Sequence, residues 1–126
     1  MADGLKYNGE LTCALSVSDM KASIAWYQDV LGFKLLYQLD EMGWCELGSP
    51  VTGVSIGLSQ VENPEVKGGA TLTWGTRDIE ADRAVLEGKK VRFDGPTYVI
   101  EGFVKLATFY DPDGNKMMLA QSLQQG

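Results

Sequence analysis

Hydrophobic and polar residues alternate first where Leu11, Cys13, Leu15 and Val17 are separated by Thr12, Ala14 and Ser16. A period of two marks a strand with one buried face. Directly after it, Met20, Ile24, Tyr27 and Leu31 recur at helical spacing, which predicts a helix packed through one side. Ser18 or Asp19 offers an acceptor to the open amides of its first turn, and Gly32 stands where such a helix stops. Three strand-like runs follow, Phe33 to Leu39, Gly43 to Leu47 and Thr52 to Leu58, with a turn at Gly48-Ser49-Pro50. The order is β-α-β-β-β.

Ser59 to Gly69, with Asn63-Pro64 and Gly68-Gly69, has the composition of a linker. The same plan then returns. Leu72, Trp74 and Thr76 alternate with Thr71, Thr73 and Gly75, and Asp78 opens a helix carrying Ile79, Val85 and Leu86 that is expected to end at Gly88. Val91 and Phe93 start a strand that Gly95-Pro96 breaks. Phe103 to Tyr110 and Lys116 to Gln121 make a hairpin across Asp111-Pro112-Asp113-Gly114, a strong turn signal. The halves align on Asp19 and Asp78, with Thr12 opposite Thr71 and Gly32 matched to Gly88. Four strands per half bend naturally into a shared concave sheet with the helices outside, an α+β fold.

Composition narrows the class. With 44% hydrophobic and 22% charged residues, the 126-residue chain suits one globular domain. Its net charge of -6 disfavours nucleic-acid backbones and mildly attracts cationic small molecules. Met1 to Lys6 has no apolar stretch and no segment is long enough to span a bilayer, so a soluble cytoplasmic protein is expected. Cys13 and Cys45 are too few for a disulfide framework, and the chain has no His beside which either could become a nucleophile.

Val17-Ser18-Asp19-Met20-Lys21-Ala22-Ser23, Trp26-Tyr27 and Leu31-Gly32-Phe33 resemble the opening of vicinal oxygen chelate proteins, which include glyoxalases, bleomycin-resistance proteins and ring-cleaving dioxygenases. Phe109-Tyr110-Asp111-Pro112-Asp113-Gly114-Asn115 is similar to that superfamily's closing hairpin. The resemblance spans about Leu11 to Leu123. It implies two βαβββ modules, about 10–60 and 70–123, forming a curved mixed sheet around a ligand cavity in a single domain, 1–126, that is usually dimeric. Asp111, Asp113 and Asn115 are also spaced like the first ligands of a calcium loop, but no later Glu or flanking helix completes one.

By the same resemblance, metal ligands would stand at Thr12, at Thr71, within Ser55 to Ser59, and at Met118, where the family usually carries Glu. Hydroxyls and a thioether are poor ligands for a catalytic divalent ion. No metal and no cofactor are therefore expected, with Glu46, Glu101 and Gln60 as the remaining oxygen donors. The face so mapped comprises Thr12, Ala14, Ser16, Ser55, Gly57, Thr71, Thr73, Met118 and Ala120, small or flexible residues that leave room for a ligand. Trp44, sharing a face with Glu46, and Tyr98, near the Gly95-Pro96 break, are placed to stack on a planar molecule. Trp74 shares its face with Leu72 and is expected in the core, as are Trp26 and Tyr27.

The expected ligand-binding set is Thr12, Trp44, Glu46, Ser55, Thr71, Tyr98, Glu101 and Met118. The expected function is metal-independent sequestration of a small planar or cationic molecule by a bleomycin-resistance-like homodimer. The alternative is a glyoxalase-like lyase or isomerase with displaced metal ligands, or with Glu46, Glu101 or Tyr98 as acid-base groups and Lys105 close behind.

Overall fold

A computed structural model of the chain describes residue 6 and residues 8–64 and 71–124. They fall into two compact units, Met1–Pro64 and Glu65–Gly126. In the first, β1 (Leu11–Val17) leads into α1 (Met20–Leu31), then β2 (Lys34–Leu39), a 3-10 turn at Asp40–Met42, β3 (Trp44–Gly48) and β4 (Val54–Gln60). The sheet order is β1-β4-β3-β2, with β1 parallel to β4 and the other pairs antiparallel. The second unit has β5 (Leu72–Gly75), α2 (Ile79–Gly88), β6 (Arg92–Phe93), β7 (Tyr98–Ile100), β8 (Val104–Tyr110) and β9 (Lys116–Ser122). There β5 runs parallel to β9, β9 pairs antiparallel with β8, and β8 carries both β6 and β7 on its other side. This is the expected α+β fold of repeated βαβββ units.

Gly95-Pro96 splits one strand position into two, β6 and β7, so the described residues contain nine strands where the sequence pattern predicted eight. The Arg83 guanidinium bridges that break, donating to the Gly95 carbonyl at 2.7 Å and to Thr97 Oγ1 at 3.1 Å, and it stacks over Phe93 at 4.3 Å. β4 starts at Val54, later than expected, because Gly53 adopts φ 81 in a turn closed by the Val54 amide on the Val51 carbonyl. It also runs on to Gln60, so the linker is shorter than its composition suggested, and residues 65–69 of that stretch lie outside the described residues. Gly32 ends α1 in the left-handed region, φ 75, as expected. α2 likewise ends at Gly88, as expected, but there it is Lys90 that takes the left-handed position, with φ 65.

Both helices begin in the same way. Asp19 and Asp78 each accept from an amide in the first turn, Ala22 N and Ala81 N, at 3.1 Å. A second acceptor reaches in from the last strand of each unit: Gln60 Oε1 takes the Met20 amide and Gln121 Oε1 the Ile79 amide, both at 2.7 Å. These contacts match four first-turn donors with side-chain acceptors. Gln60→Ala and Gln121→Ala are each expected to lower stability by about 1 kcal/mol in urea unfolding. Unchanged midpoints in both variants would show that the caps contribute nothing.

Each helix covers one face of its sheet. Val17, Tyr27, Cys45, Leu47, Ile56 and Leu58 are fully buried in the first unit, with Tyr27 tilted against Phe33 at a centroid distance of 5.7 Å. Ile79, Phe109 and Met117 are the corresponding residues of the second, with Phe93 at 5.7 Å from Phe109. Leu72 and Trp74 pair with Met117 and Leu119 and face this same side, as expected, though both are only half-buried. The opposite face of each sheet carries no helix of its own unit. No helix among the described residues is long and apolar enough to cross a membrane.

Candidate functional site

On the face of the first sheet turned away from α1, strand alternation places Thr12, Ala14 and Ser16 of β1, Ser55, Gly57 and Ser59 of β4, and Trp44, Glu46 and Gly48 of β3. Thr12 is level with Ser55, and Glu46 with Gly57. β2 joins this face through an irregularity between Leu35 and Tyr37. An extra residue in one strand re-aims its neighbours. Leu36 consequently reaches over Gly48, and Tyr37 stands directly opposite Glu46.

Hydrogen bonds join five of these side chains. Ser55 Oγ donates to Glu46 Oε2 at 2.8 Å, and the Tyr37 hydroxyl donates to Oε1 at 3.1 Å. Trp44 Nε1 donates to the Tyr37 oxygen at 3.2 Å, and Thr12 Oγ1 lies 3.0 Å from Ser55 Oγ. The indole extends across Gly57, where a Cβ would lie only 2.0 Å from Cη2. Glycine is therefore required under the ring, whatever its backbone angles.

Of the expected site residues, the structure gathers Thr12, Trp44, Glu46 and Ser55 and adds Tyr37. Tyr37 escaped the sequence reading because its aim depends on the irregular pairing with β3. The others belong to the second unit. Met118 lies between Thr73 and Thr108 on the face away from α2, and Thr71 directly precedes β5. Tyr98, 64% exposed, sits on β7 opposite Leu106, across β8 from the strand of Met118 and one rung along. Glu101 occupies the turn between β7 and β8, next to Gly102 with φ 73.

Three further candidates already have other partners. Gln60 caps α1. Lys105 donates to Glu80 on α2 and holds that carboxyl below its usual range. Asp111 Oδ1 accepts from the amides of Asp113 and Asn115, and Oδ2 from Asn115 Nδ2. A carboxylate facing N–H donors organises a turn; the calcium reading required it to face a cation. Burial pushes both thiols, Cys13 and Cys45, above their usual range, the reverse of activation.

The residues at the mapped metal positions do not fit a divalent ion. Thr12 is engaged with Ser55, Gly57 lies beneath an indole, and Met118 offers a thioether. Among the described strand residues of the first unit's face, Glu46 is the one carboxylate, and its partners are hydroxyl groups. Among the described residues, no three His, Cys, Asp or Glu residues group closely enough to hold a metal.

Two βαβββ units, each with a helix on one face and polar and aromatic groups on the other, define the fold of the vicinal oxygen chelate proteins. A profile of the Glyoxalase/Bleomycin resistance protein/Dioxygenase superfamily matches residues 11–119, and the chain belongs to that superfamily. Among solved structures, it is similar to a superfamily member from Sphaerobacter thermophilus, with a TM-score of 0.78 and 23% identity over 94% of this chain and 98% of that one. TnmS3, an antibiotic binding protein from Streptomyces sp. CB03234, gives a TM-score of 0.74 and 28% identity over 96% and 99%. The genomically encoded fosfomycin resistance protein FosX from Listeria monocytogenes shares the fold at a TM-score of 0.75 and 15% identity over 97% and 95%. No curated protein matches the chain.

Proposed function

We propose that this protein binds a small planar molecule on the face of β1–β4 turned away from α1, without a metal ion and without transforming it. The observation that carries the reading is Trp44 lying across Gly57 beside Glu46. An aromatic ring held against the neighbouring strand is a stacking surface that costs little entropy to order. Around it, Leu36, Tyr37 and Leu39 leave apolar area exposed, 57%, 45% and 44% respectively. Similarity to an antibiotic binding protein supports sequestration over chemistry. In this reading the protein works in the cytoplasm as a homodimer and needs no cofactor.

The Tyr37–Glu46 hydrogen bond favours a second reading, an acid-base pair in a metal-free lyase or isomerase. It predicts product formation that disappears in Glu46→Gln.

Thermal unfolding of chelator-treated protein, with and without Mn, Fe, Co, Ni and Zn ions, tests the metal-free assignment, because binding to the folded state raises Tm. No ion is expected to shift it, whereas planar aromatic compounds should bind saturably and be recovered unchanged. A saturable shift with one ion would sink the assignment.

A further inference from the structure

The hydrogen bonds around Glu46 all run in one direction. Trp44 Nε1 has one proton and donates it to the Tyr37 oxygen; Tyr37 has one proton and donates it to Oε1. Ser55 donates its only hydroxyl proton to Oε2, so the Thr12–Ser55 hydrogen bond must be made with the proton of Thr12. Four donors are thus engaged within the cluster, and every one of them points towards the carboxylate. What the cluster still offers is lone pairs: on Thr12, on Tyr37, and on a carboxylate with room for about four hydrogen bonds, of which two are filled.

Charge reinforces that direction. Among the described residues Glu46 makes no ion pair, and Lys34, one rung away on β2, makes none either. Ser16 and Ser59 share the face on the rung of Trp44, one beyond that of Glu46. A ligand whose polar edge consists of acceptors, such as a carboxylate, sulfonate or phosphonate, would meet lone pairs and a negative charge. A ligand presenting N–H or O–H groups would meet acceptors already oriented, and a protonated nitrogen would also meet the uncompensated charge.

From this arrangement, and building on the small-molecule reading above, we infer that the site selects by donor: it takes planar aromatic molecules carrying a protonated nitrogen and rejects anionic ones of the same shape. Tyr37 is the positioning residue of this selection. Its hydroxyl links the stacking ring to the carboxylate, and the strand irregularity that aims it ties ring plane and acceptor into one unit.

Three probes with one ring system separate the contributions: aminomethylanthracene as the ammonium, hydroxymethylanthracene as the neutral donor, and anthracenecarboxylate as the anion. Calorimetric titration of the full chain is expected to rank them in that order, the ammonium binding at least about tenfold more tightly than the carboxylate. Glu46→Gln should bring all three to within about twofold of one another while the alcohol keeps its affinity, because the stacking ring stays in place. Trp44→Ala should weaken all three alike. Tyr37→Phe, which keeps the ring but removes the link, should reduce the ammonium-to-carboxylate ratio and leave the alcohol's affinity changed least. Equal binding of the three probes, dependent on Trp44, overturns donor selection and leaves the small-molecule reading standing. Binding of none of them overturns both.

Discussion

Asp111→Ala is expected to destabilise the protein by about 3 kcal/mol or more, among the largest losses available outside the hydrophobic core. Asp111 is 4% exposed and its carboxylate accepts from Asp113 N at 2.9 Å, Asn115 N at 2.8 Å and Asn115 Nδ2 at 2.8 Å. Alanine removes all three acceptor contacts at once and leaves their donors without a charged partner in a largely buried turn. Hydrogen bonds to a charged group contribute roughly 1.5–3 kcal/mol each, and buried donors left unmet add a desolvation cost. Asp111→Asn retains the shape but turns a donor towards donors at one position, so an intermediate loss is expected. Urea unfolding measures both variants, and calcium should restore neither. A loss below about 1 kcal/mol in Asp111→Ala would show that the chain turns here on its Pro-Asp-Gly backbone alone.

Gly57→Ala is expected to act mainly on binding. The new methyl would stand 2.0 Å from Trp44 Cη2 and 2.4 Å from Cζ2, distances no packed pair of carbons tolerates. The ring is the far end of a side chain, so it can swing away, and the stability lost should stay near the low end of the 1–3 kcal/mol typical of overpacking. Once it swings, the Nε1 hydrogen bond to Tyr37 breaks and the stacking surface goes with it. Planar ligands should then bind at least about tenfold more weakly, comparable with losing one buried aromatic contact. The cause can be separated from a general effect on β4 by a double-mutant cycle. In a Trp44→Ala background the three nearest neighbours of that methyl, all indole atoms, are gone, and Gly57→Ala should become neutral or slightly stabilising because glycine weakens a strand. A similar penalty in both backgrounds would place the effect in the backbone of β4.

Local signals were legible and long-range ones were not. The β1 alternation, the helix after Asp19, the hairpin across Asp111-Pro112-Asp113-Gly114 and the repeat itself all depend on near neighbours, and each is present in the structure. The partnership of Trp44 with Glu46 was legible because it rests on strand alternation alone. Tyr37 was not, since Leu35, Leu36, Tyr37 and Leu39 are all apolar and only the slipped pairing with β3 decides which of them joins the site. Gln60 looks in the sequence like a spare oxygen donor for the same reason: its amide is engaged by a helix start far away in the sequence. Glu101 illustrates the converse, a carboxylate that composition made conspicuous and that the fold places in the three-residue turn between β7 and β8.

The glutamine caps also bear on how the chain acquires its structure. Each joins residues 40 or 42 positions apart, the first amide of a helix and the closing strand of the same unit. A helix start therefore cannot be completed while its unit is being synthesised or is only half assembled; it waits for the last strand to dock. Contacts of such sequence separation slow folding, because the loop must close before it is rewarded. They also make the Met20 and Ile79 amides natural clocks. In pulsed hydrogen exchange these two positions should become protected together with the strands that end at Gln60 and Ser122, later than the interior of the helices they begin.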